Sequence, residues 1–195
     1  MGCLPARAPK LRGGFKPDFG ALDYSAGRAL PASGRNLAWR YGSCIAAAPT
    51  IEPVTEQQLE PLLPLIAAYQ RFYEVERIDD ERNRAFFSRF LAPSEDGMLI
   101  GAWRDGKLVG YACLYWTFTS LVPAEIVLMN DLYVEPQARG EGVGRALIEA
   151  SAAIARERGA QRLQWITATD NETAQRLYDT TGAERWESIE YELEL

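Results

Sequence analysis

The segment ARGEGVGRAL, residues 138 to 147, places Gly140, Gly142 and Gly144 at every second position and then continues into good helix formers. The apolar segment EIVLMNDLYVE precedes it and is typical of a buried strand. A strand that runs through a glycine-rich turn into a helix presents free backbone N–H groups and the positive end of the helix dipole. Such a turn binds phosphate, and glycines let the ligand approach the backbone closely. The segment therefore predicts an α/β fold with an anion-binding loop.

Two common phosphate-binding patterns do not fit this loop. A P-loop needs Lys and then Ser or Thr after its last glycine, where this chain has Arg145 and Ala146. A dinucleotide-binding fingerprint fails at its last position whether it starts at Gly140 or at Gly142. The pattern that fits is Arg-x-x-Gly-x-Gly, from Arg139 to Gly144.

The hydrophobic periodicity downstream of Thr50 predicts elements in the order β, α, α, β, β, β, α, β, α, β. A capping box of Thr55 and Gln58 marks the first helix, whose regular part is expected to begin near Pro61. Asp79 or Asp80 is expected to cap the second helix. The last predicted strand is WESIEYELEL, residues 186 to 195, in which mainly one face is apolar.

Composition separates an N-terminal extension, residues 1 to 49, from a domain spanning residues 50 to 195. The extension is rich in Gly, Pro, Ala and Ser without a sustained period, which is typical of a poorly ordered segment. It carries seven Lys and Arg against two Asp and Glu, whereas the domain carries 14 against 25. The acidic domain argues against nucleic acid as the main partner and is compatible with a cationic small substrate.

The chain has no histidine, which excludes Ser-His and Cys-His nucleophile pairs and argues against a zinc site. Its three cysteines lack metal-ligand and disulfide-framework spacing, so no metal is expected. No apolar run approaches the ~20 residues needed to cross a bilayer, and the N-terminus lacks the apolar core of a secretory signal. We therefore expect a cytoplasmic protein without a membrane partner.

The Arg-x-x-Gly-x-Gly loop and a second signature one strand downstream, DNETAQRLYDTTGAE, together resemble the motifs of the GCN5-related N-acetyltransferase (GNAT) superfamily. The resemblance covers residues 50 to 195 and is greatest to small-amine and polyamine-type acetyltransferases. It implies the GNAT fold, a mixed and mostly antiparallel central sheet flanked by helices. It also implies an enzyme that moves acetyl from the cosubstrate acetyl-coenzyme A (acetyl-CoA) to a primary amine of a small molecule by direct attack.

Two other functions stay open at this point. The chain could acetylate protein lysines or N-termini, which its acidic domain permits, or it could be a non-catalytic CoA-binding module. The oligomeric state is also open, a homodimer included.

The resemblance also implies the residues that bind the cosubstrate. Backbone groups of Leu132, Tyr133 and Val134 would pair with the pantetheine arm, which Asn171 would also contact, besides capping its own helix. Backbone amides of the glycine loop would bind the pyrophosphate. The loop residues are Arg139, Gly140, Glu141, Gly142, Val143, Gly144 and Arg145.

Three residues are candidates for proton transfer, one as the acid and two as alternative bases. In the family, the tyrosine equivalent to Tyr178 protonates the departing thiolate, and the alternative for Tyr178 is a packed core residue. The attacking amine must be neutral, so without histidine the proton acceptor is expected to be a carboxylate acting through water, Asp131 or Glu125. The chain departs from polyamine acetyltransferases at Asn130, which replaces an acidic residue.

Two groups of aromatic residues are typical of core positions: Tyr69, Phe72 and Tyr73 at helical spacing, and Tyr115, Trp116 and Phe118. One or two of them are expected to line the acceptor site, since the first helices form its wall in this family.

Overall fold

The computed structural model describes residues 48 to 193, so nearly all of the predicted N-terminal extension lies outside the described residues. Within them no helix is both long and apolar enough to cross a membrane. The strands are β1 (Thr50–Pro53), β2 (Gly97–Arg104), β3 (Lys107–Thr119), β4 (Ala124–Val134) and β5 (Leu163–Gln164). The α-helices are α1 (Glu56–Phe72), α2 (Asp80–Phe87), α3 (Val143–Glu157) and α4 (Glu172–Tyr178).

The strands form one sheet in the order β1-β2-β3-β4-β5. Neighbouring strands are antiparallel except for β4 and β5, which are parallel. The prediction of a mixed, mostly antiparallel sheet is thus confirmed, and the predicted element order holds through α4.

Helices cover both faces of the sheet, because successive strand residues point to opposite sides. Tyr111 of β3 packs in the core under α1 and α2, whereas the adjacent Ala112 packs in the core under α3. From the helices, Leu62 and Ile66 are fully buried on the first side and Leu147 on the second. Burial of each such side chain is worth about 1.5 to 3 kcal/mol, so these contacts hold the two helical layers against the sheet.

Helix α1 begins at Glu56, five residues before the predicted start at Pro61. The Thr55 backbone N–H donates to Gln58 Oε1 at 2.8 Å, so the capping box starts the helix ahead of its prolines. Both Pro61 and Pro64 lie on the exposed side of the helix. There, water can satisfy the carbonyl groups that lose an N–H donor, while the buried leucines keep the helix on the sheet.

The last two predicted strands differ from the structure. The strand predicted in RLQWITA is only two residues long, because the chain separates from β4 after Gln164. The strand predicted in WESIEYELEL is absent from residues 186 to 193, which have no regular structure and are exposed. Alternating apolar residues form a strand only beside a partner, and the two-residue β5 offers almost no edge for pairing.

Candidate active site

A cleft of 510 Å³ opens where β4 and β5 separate. The two strands pair only at Val127 with Leu163 and at Leu128 with Gln164. Beyond these pairs, the second half of β4 forms one wall and residues 165 to 167 form another. The end of α1, the glycine loop and α4 complete the cleft.

The cleft brings together every predicted site residue except Glu141 and the two candidate bases, Asp131 and Glu125. The lining residues are Tyr69, Phe72, Tyr73, Met129, Asn130, Leu132, Tyr133, Val134, Arg139, Gly140, Gly142, Val143, Gly144, Arg145, Trp165, Ile166, Thr167, Asn171, Thr173, Ala174, Leu177 and Tyr178.

The glycine loop has the backbone conformation of an anion-binding turn. Gly140 and Gly142 have φ values of 79° and 84°, in the left-handed region that side chains disfavour. Gly142 is the N-cap of α3, whose first backbone N–H groups have no partner within the helix. A side-chain carbon added at either glycine would meet no atom within 4 Å, so the space beside the loop is open. An anion can therefore reach the positive end of the α3 dipole.

Gly144 is required for a different reason. A side-chain carbon added there would lie 2.8 Å from Leu177 Cδ2 of α4, too close for both to fit unless Leu177 moves. Sequence analysis assigned all three glycines to ligand approach. The structure shows that the third also lets α4 pack on the start of α3, although Gly144 still lines the cleft.

The two arginines at the ends of the loop form hydrogen bonds with other residues of the protein. Arg139 Nε donates to the Val134 carbonyl oxygen at 3.0 Å. Arg145 Nη2 donates to both the carbonyl oxygen and the hydroxyl of Thr180 at 2.8 Å, which links α3 to the end of α4. These guanidinium groups thus stabilise the walls of the cleft, and the backbone N–H groups of the loop are the donors best placed for an anion.

Helix α4 carries two predicted site residues on one wall of the cleft. Asn171 caps the helix, because its Oδ1 accepts from the Ala174 backbone N–H at 3.2 Å, and it also lines the cleft. Tyr178 follows seven residues later, about two helical turns along the same face. Its ring lies edge-on to Trp165, with 5.4 Å between ring centroids. Both residues therefore combine a packing role with a position in the cleft.

The Tyr178 hydroxyl is held in its protonated form. Burial, and then the neighbouring Tyr73, raises the pKa of Tyr178 to about 12. The hydroxyl therefore carries its proton at neutral pH, as a donor to a departing anion must.

A β-bulge at Asn130 decides where Asp131 points. Cys113 of β3 pairs with Asp131 while the next residue, Leu114, pairs with Met129, so Asn130 is an extra residue in β4. Simple alternation would place Met129 and Asp131 on one face of the sheet. Instead Met129 packs under α3, and Asp131 lies on the side of the sheet that faces α1. Sequence analysis named Asp131 without foreseeing this bulge.

Asp131 is buried, with 6% of its surface exposed, and does not line the cleft itself. Asn130 Nδ2 donates to its Oδ1 at 3.1 Å. Burial raises the pKa of Asp131 to about 6, and the contacts with Asn130 and the Tyr69 hydroxyl only partly counteract it. Burial, with a smaller contribution from Asp131, also raises the pKa of Tyr111 and Cys113 well above their usual values. Near neutral pH the carboxylate is thus ionised yet able to accept a proton.

Glu125, the other candidate base, lies far from this carboxylate. It pairs with Phe118 at the opposite end of β4, six residues before Asp131, a separation of roughly 20 Å along a strand. It also does not line the cleft. The structure therefore favours Asp131. Within residues 48 to 193, no group of three His, Cys, Asp or Glu side chains is arranged to hold a metal ion.

Three aromatic residues at the end of α1 line the cleft, whereas sequence analysis favoured core positions and expected one or two aromatic residues in the acceptor site. Tyr69 is half-buried and contacts the buried rings of Tyr111 and Tyr133, whereas Phe72 and Tyr73 are exposed. Their helical spacing indicates a shared face, but this signal is the same for a core and for a cleft. Sequence analysis also missed the wall formed by Trp165, Ile166 and Thr167, for which the sequence carries no recognisable motif.

Comparison with known proteins gives one family. The model of the acetyltransferase (GNAT) family matches residues 62 to 183. The D-amino-acid N-acetyltransferase HPA3 of Saccharomyces cerevisiae is 40% identical over 94 residues, which cover 47% of this chain and 58% of that protein. The thialysine N-epsilon-acetyltransferase of Bos taurus is 32% identical over 144 residues, covering 67% of this chain and 83% of that protein.

A solved structure shares the fold. The crystal structure of a probable acetyltransferase is 32% identical, with a TM-score of 0.66, and the match covers 75% of this chain and 97% of that one.

Proposed function

Since the chain belongs to the acetyltransferase (GNAT) family, we propose that it transfers acetyl from acetyl-CoA to the primary amine of a small molecule. The observation that carries this proposal is the cleft, which joins an anion-binding loop, the protonated Tyr178 and a stretch of β4 that is paired with β3 but not with β5. Acetyl-CoA has matching parts: a diphosphate, an extended arm with amide groups, and a thioester.

The loop and β4 would bind the donor through their backbone. The N–H groups from Arg139 to Arg145 would hold the diphosphate at the start of α3. The pantetheine arm would lie along Leu132, Tyr133 and Val134, on the edge of β4 that β5 has left, with Asn171 on the opposite wall. This arrangement would direct the thioester toward Tyr178.

Two side chains would transfer protons while the amine attacks the thioester carbonyl directly. The new C–N bond forms, the C–S bond breaks, and the Tyr178 hydroxyl donates its proton to the departing sulfur. The proton lost by the nitrogen goes to Asp131. Because Asp131 lies behind the cleft surface, this proton passes through the Tyr69 hydroxyl, which contacts both the cleft and the carboxylate, or through a water molecule.

The acceptor that fits best is an amino-acid-like amine. HPA3 and the bovine relative are named for acetyl transfer to D-amino acids and to the side-chain amine of thialysine. The aromatic rings of Tyr69, Phe72 and Tyr73 can pack against such a molecule and attract its cationic form. Asn130 lines the cleft without a charge where polyamine acetyltransferases carry an acid, which favours a singly charged amine over a polyamine.

An acceptor screen tests this function. CoA release would be measured with thialysine, lysine, D-amino acids, spermidine and a lysine-containing peptide. We expect saturable turnover with thialysine or a D-amino acid and little with the peptide. Turnover with the peptide alone would make the chain a protein acetyltransferase. Tight CoA binding with no acceptor turned over would instead identify a non-catalytic module.

The pH profile tests Asp131 as the proton acceptor. Only the ionised carboxylate accepts a proton, and the pKa of about 6 means that the active fraction falls as pH drops through 6. At pH 5 about one tenth of the Asp131 carboxyl groups are ionised. The value of kcat/KM should therefore be about tenfold below the value expected if Asp131 were fully ionised. Asp131→Asn should be slower and should lose the fall of kcat/KM near pH 6. The increase of kcat/KM with pH that comes from deprotonation of the acceptor amine should persist. A fall near pH 6 that persists in Asp131→Asn would show that another group titrates.

The domain boundary gives another prediction. A chain that begins at Ala48 should have the melting temperature and kcat of the full chain, because β1 starts at Thr50 and the family match starts at residue 62. Both proteins would be compared by thermal unfolding and CoA release. If the shorter chain does not fold, the domain boundary is wrong.

A further inference from the structure

Glu141 places a negative charge inside the proposed diphosphate loop, between the two left-handed residues Gly140 and Gly142. An anion at this position opposes the binding of a second anion. A carboxylate beside the first turn of a helix can also accept hydrogen bonds from the same N–H groups that a phosphate would use. Glu141 is therefore a potential competitor of the ligand unless something holds it away.

Arg104, the last residue of β2, holds this carboxylate. Its Nη1 forms an ion pair with Glu141 Oε2. The Arg104 side chain is only 11% exposed while that of Glu141 is 45% exposed, so the pair is partly shielded from water. In the part of the chain that the structure describes, the buried Arg104 Nε has no hydrogen-bond partner. Glu141 is thus the compensating charge for a guanidinium that is largely removed from solvent.

The ion pair connects the loop to the end of β2. The β2–β3 hairpin forms a second ion pair with the chain just before the loop, Lys107 Nζ to Glu135 Oε2 at 3.0 Å. The Lys107 side chain is 70% exposed and that of Glu135 is 23% exposed, so the ammonium of this pair stays in water and the pair is expected to contribute little. The hairpin therefore offers a comparison between two ion pairs: one with a shielded cation, which reaches the loop, and one with an exposed cation, which lies beside the loop.

We propose that Arg104 is a positioning residue of the donor site, which neutralises Glu141 and keeps its carboxylate away from the N–H groups that receive the diphosphate. The inference rests on the proposed function, since it assumes that CoA binds at this loop. Arg104 acts through Glu141 and not by touching the ligand. Loss of Arg104 should therefore be harmful only while Glu141 keeps its charge.

Calorimetry with CoA on the full chain tests this inference as a double-mutant cycle. Arg104→Met should weaken binding about tenfold or more, because a free carboxylate then competes for the loop. Glu141→Gln should bind CoA about two- to threefold more tightly, and the double variant should regain affinity to within about threefold of Glu141→Gln. Arg104→Lys should keep most of the affinity, and Lys107→Met should change it less than about twofold.

A second donor separates this role from general damage. S-acetyl-pantetheine has the thioester arm but no diphosphate, so Arg104→Met should lower kcat/KM for acetyl-CoA and leave that for S-acetyl-pantetheine unchanged. If Arg104→Met does not fold, Arg104→Gln replaces it, since the side-chain amide of glutamine can still form hydrogen bonds in the buried site.

Three results would overturn the inference. They are a double variant as weak as Arg104→Met, an equal loss with both donors, or unchanged CoA affinity in Arg104→Met. Failure of the wild-type chain to bind CoA would instead contradict the proposed function and, with it, the assumption of this inference.

Discussion

Tyr178→Phe is expected to lower kcat by roughly 10² to 10⁴, the usual contribution of general acid catalysis. The substitution removes only the hydroxyl that would protonate the departing thiolate. The ring keeps its edge-on contact with Trp165, so the melting temperature and the KM for acetyl-CoA should change little. Because the pKa of Tyr178 is about 12, the hydroxyl stays protonated across the assay range and should add no limb to the pH profile near neutrality.

Tyr115→Phe provides the matched control for this prediction. Tyr115 is partly buried and packs against the core under α1 and α2, and it does not line the cleft. Its variant should keep kcat within about twofold of wild type. If Tyr178→Phe retains more than about a third of wild-type kcat with chemistry rate-limiting, Tyr178 is a packing residue and another group protonates the sulfur.

Gly142→Asp is expected to weaken CoA binding by about 100-fold or more, through two effects that act together. Gly142 has a φ of 84°, which side chains disfavour, and it caps the helix whose N–H groups would hold the diphosphate. An aspartate there adds a negative charge and an acceptor that competes for these N–H groups. Calorimetry with CoA, after thermal unfolding shows that the variant is folded, measures the effect.

Gly142→Asn separates charge from shape in the same position. Asparagine has nearly the shape of aspartate and tolerates the left-handed conformation better than most residues, so binding should weaken about tenfold at most. The difference between the Asp and Asn variants is then the electrostatic contribution. A folded Gly142→Asp protein with wild-type CoA affinity would show that the diphosphate binds elsewhere.

Parts of the site that depend on contiguous residues were predictable from sequence. The glycines at 140 and 142, followed directly by helix formers, predicted a tight turn at a helix start, and the structure contains this turn, with both glycines in the left-handed region. Asn171 and Tyr178 could likewise be placed on one face of a short helix, because cap preference and helical spacing are local properties. The order of elements through α4 followed from periodicity for the same reason.

Other features depend on residues far apart in the chain, so only the tertiary structure decided them. The bulge at Asn130 exists because β4 has one more residue than β3 between two successive pairs, and it turns Asp131 toward α1. The need for glycine at 144 comes from Leu177, 33 residues later. Tyr69 lines a cleft because β4 and β5 part beside it, and residues 186 to 193 form no strand because the edge next to them is too short. Periodicity identifies which residues share one face of a helix or strand. What packs against that face is decided by segments that are far apart in the sequence.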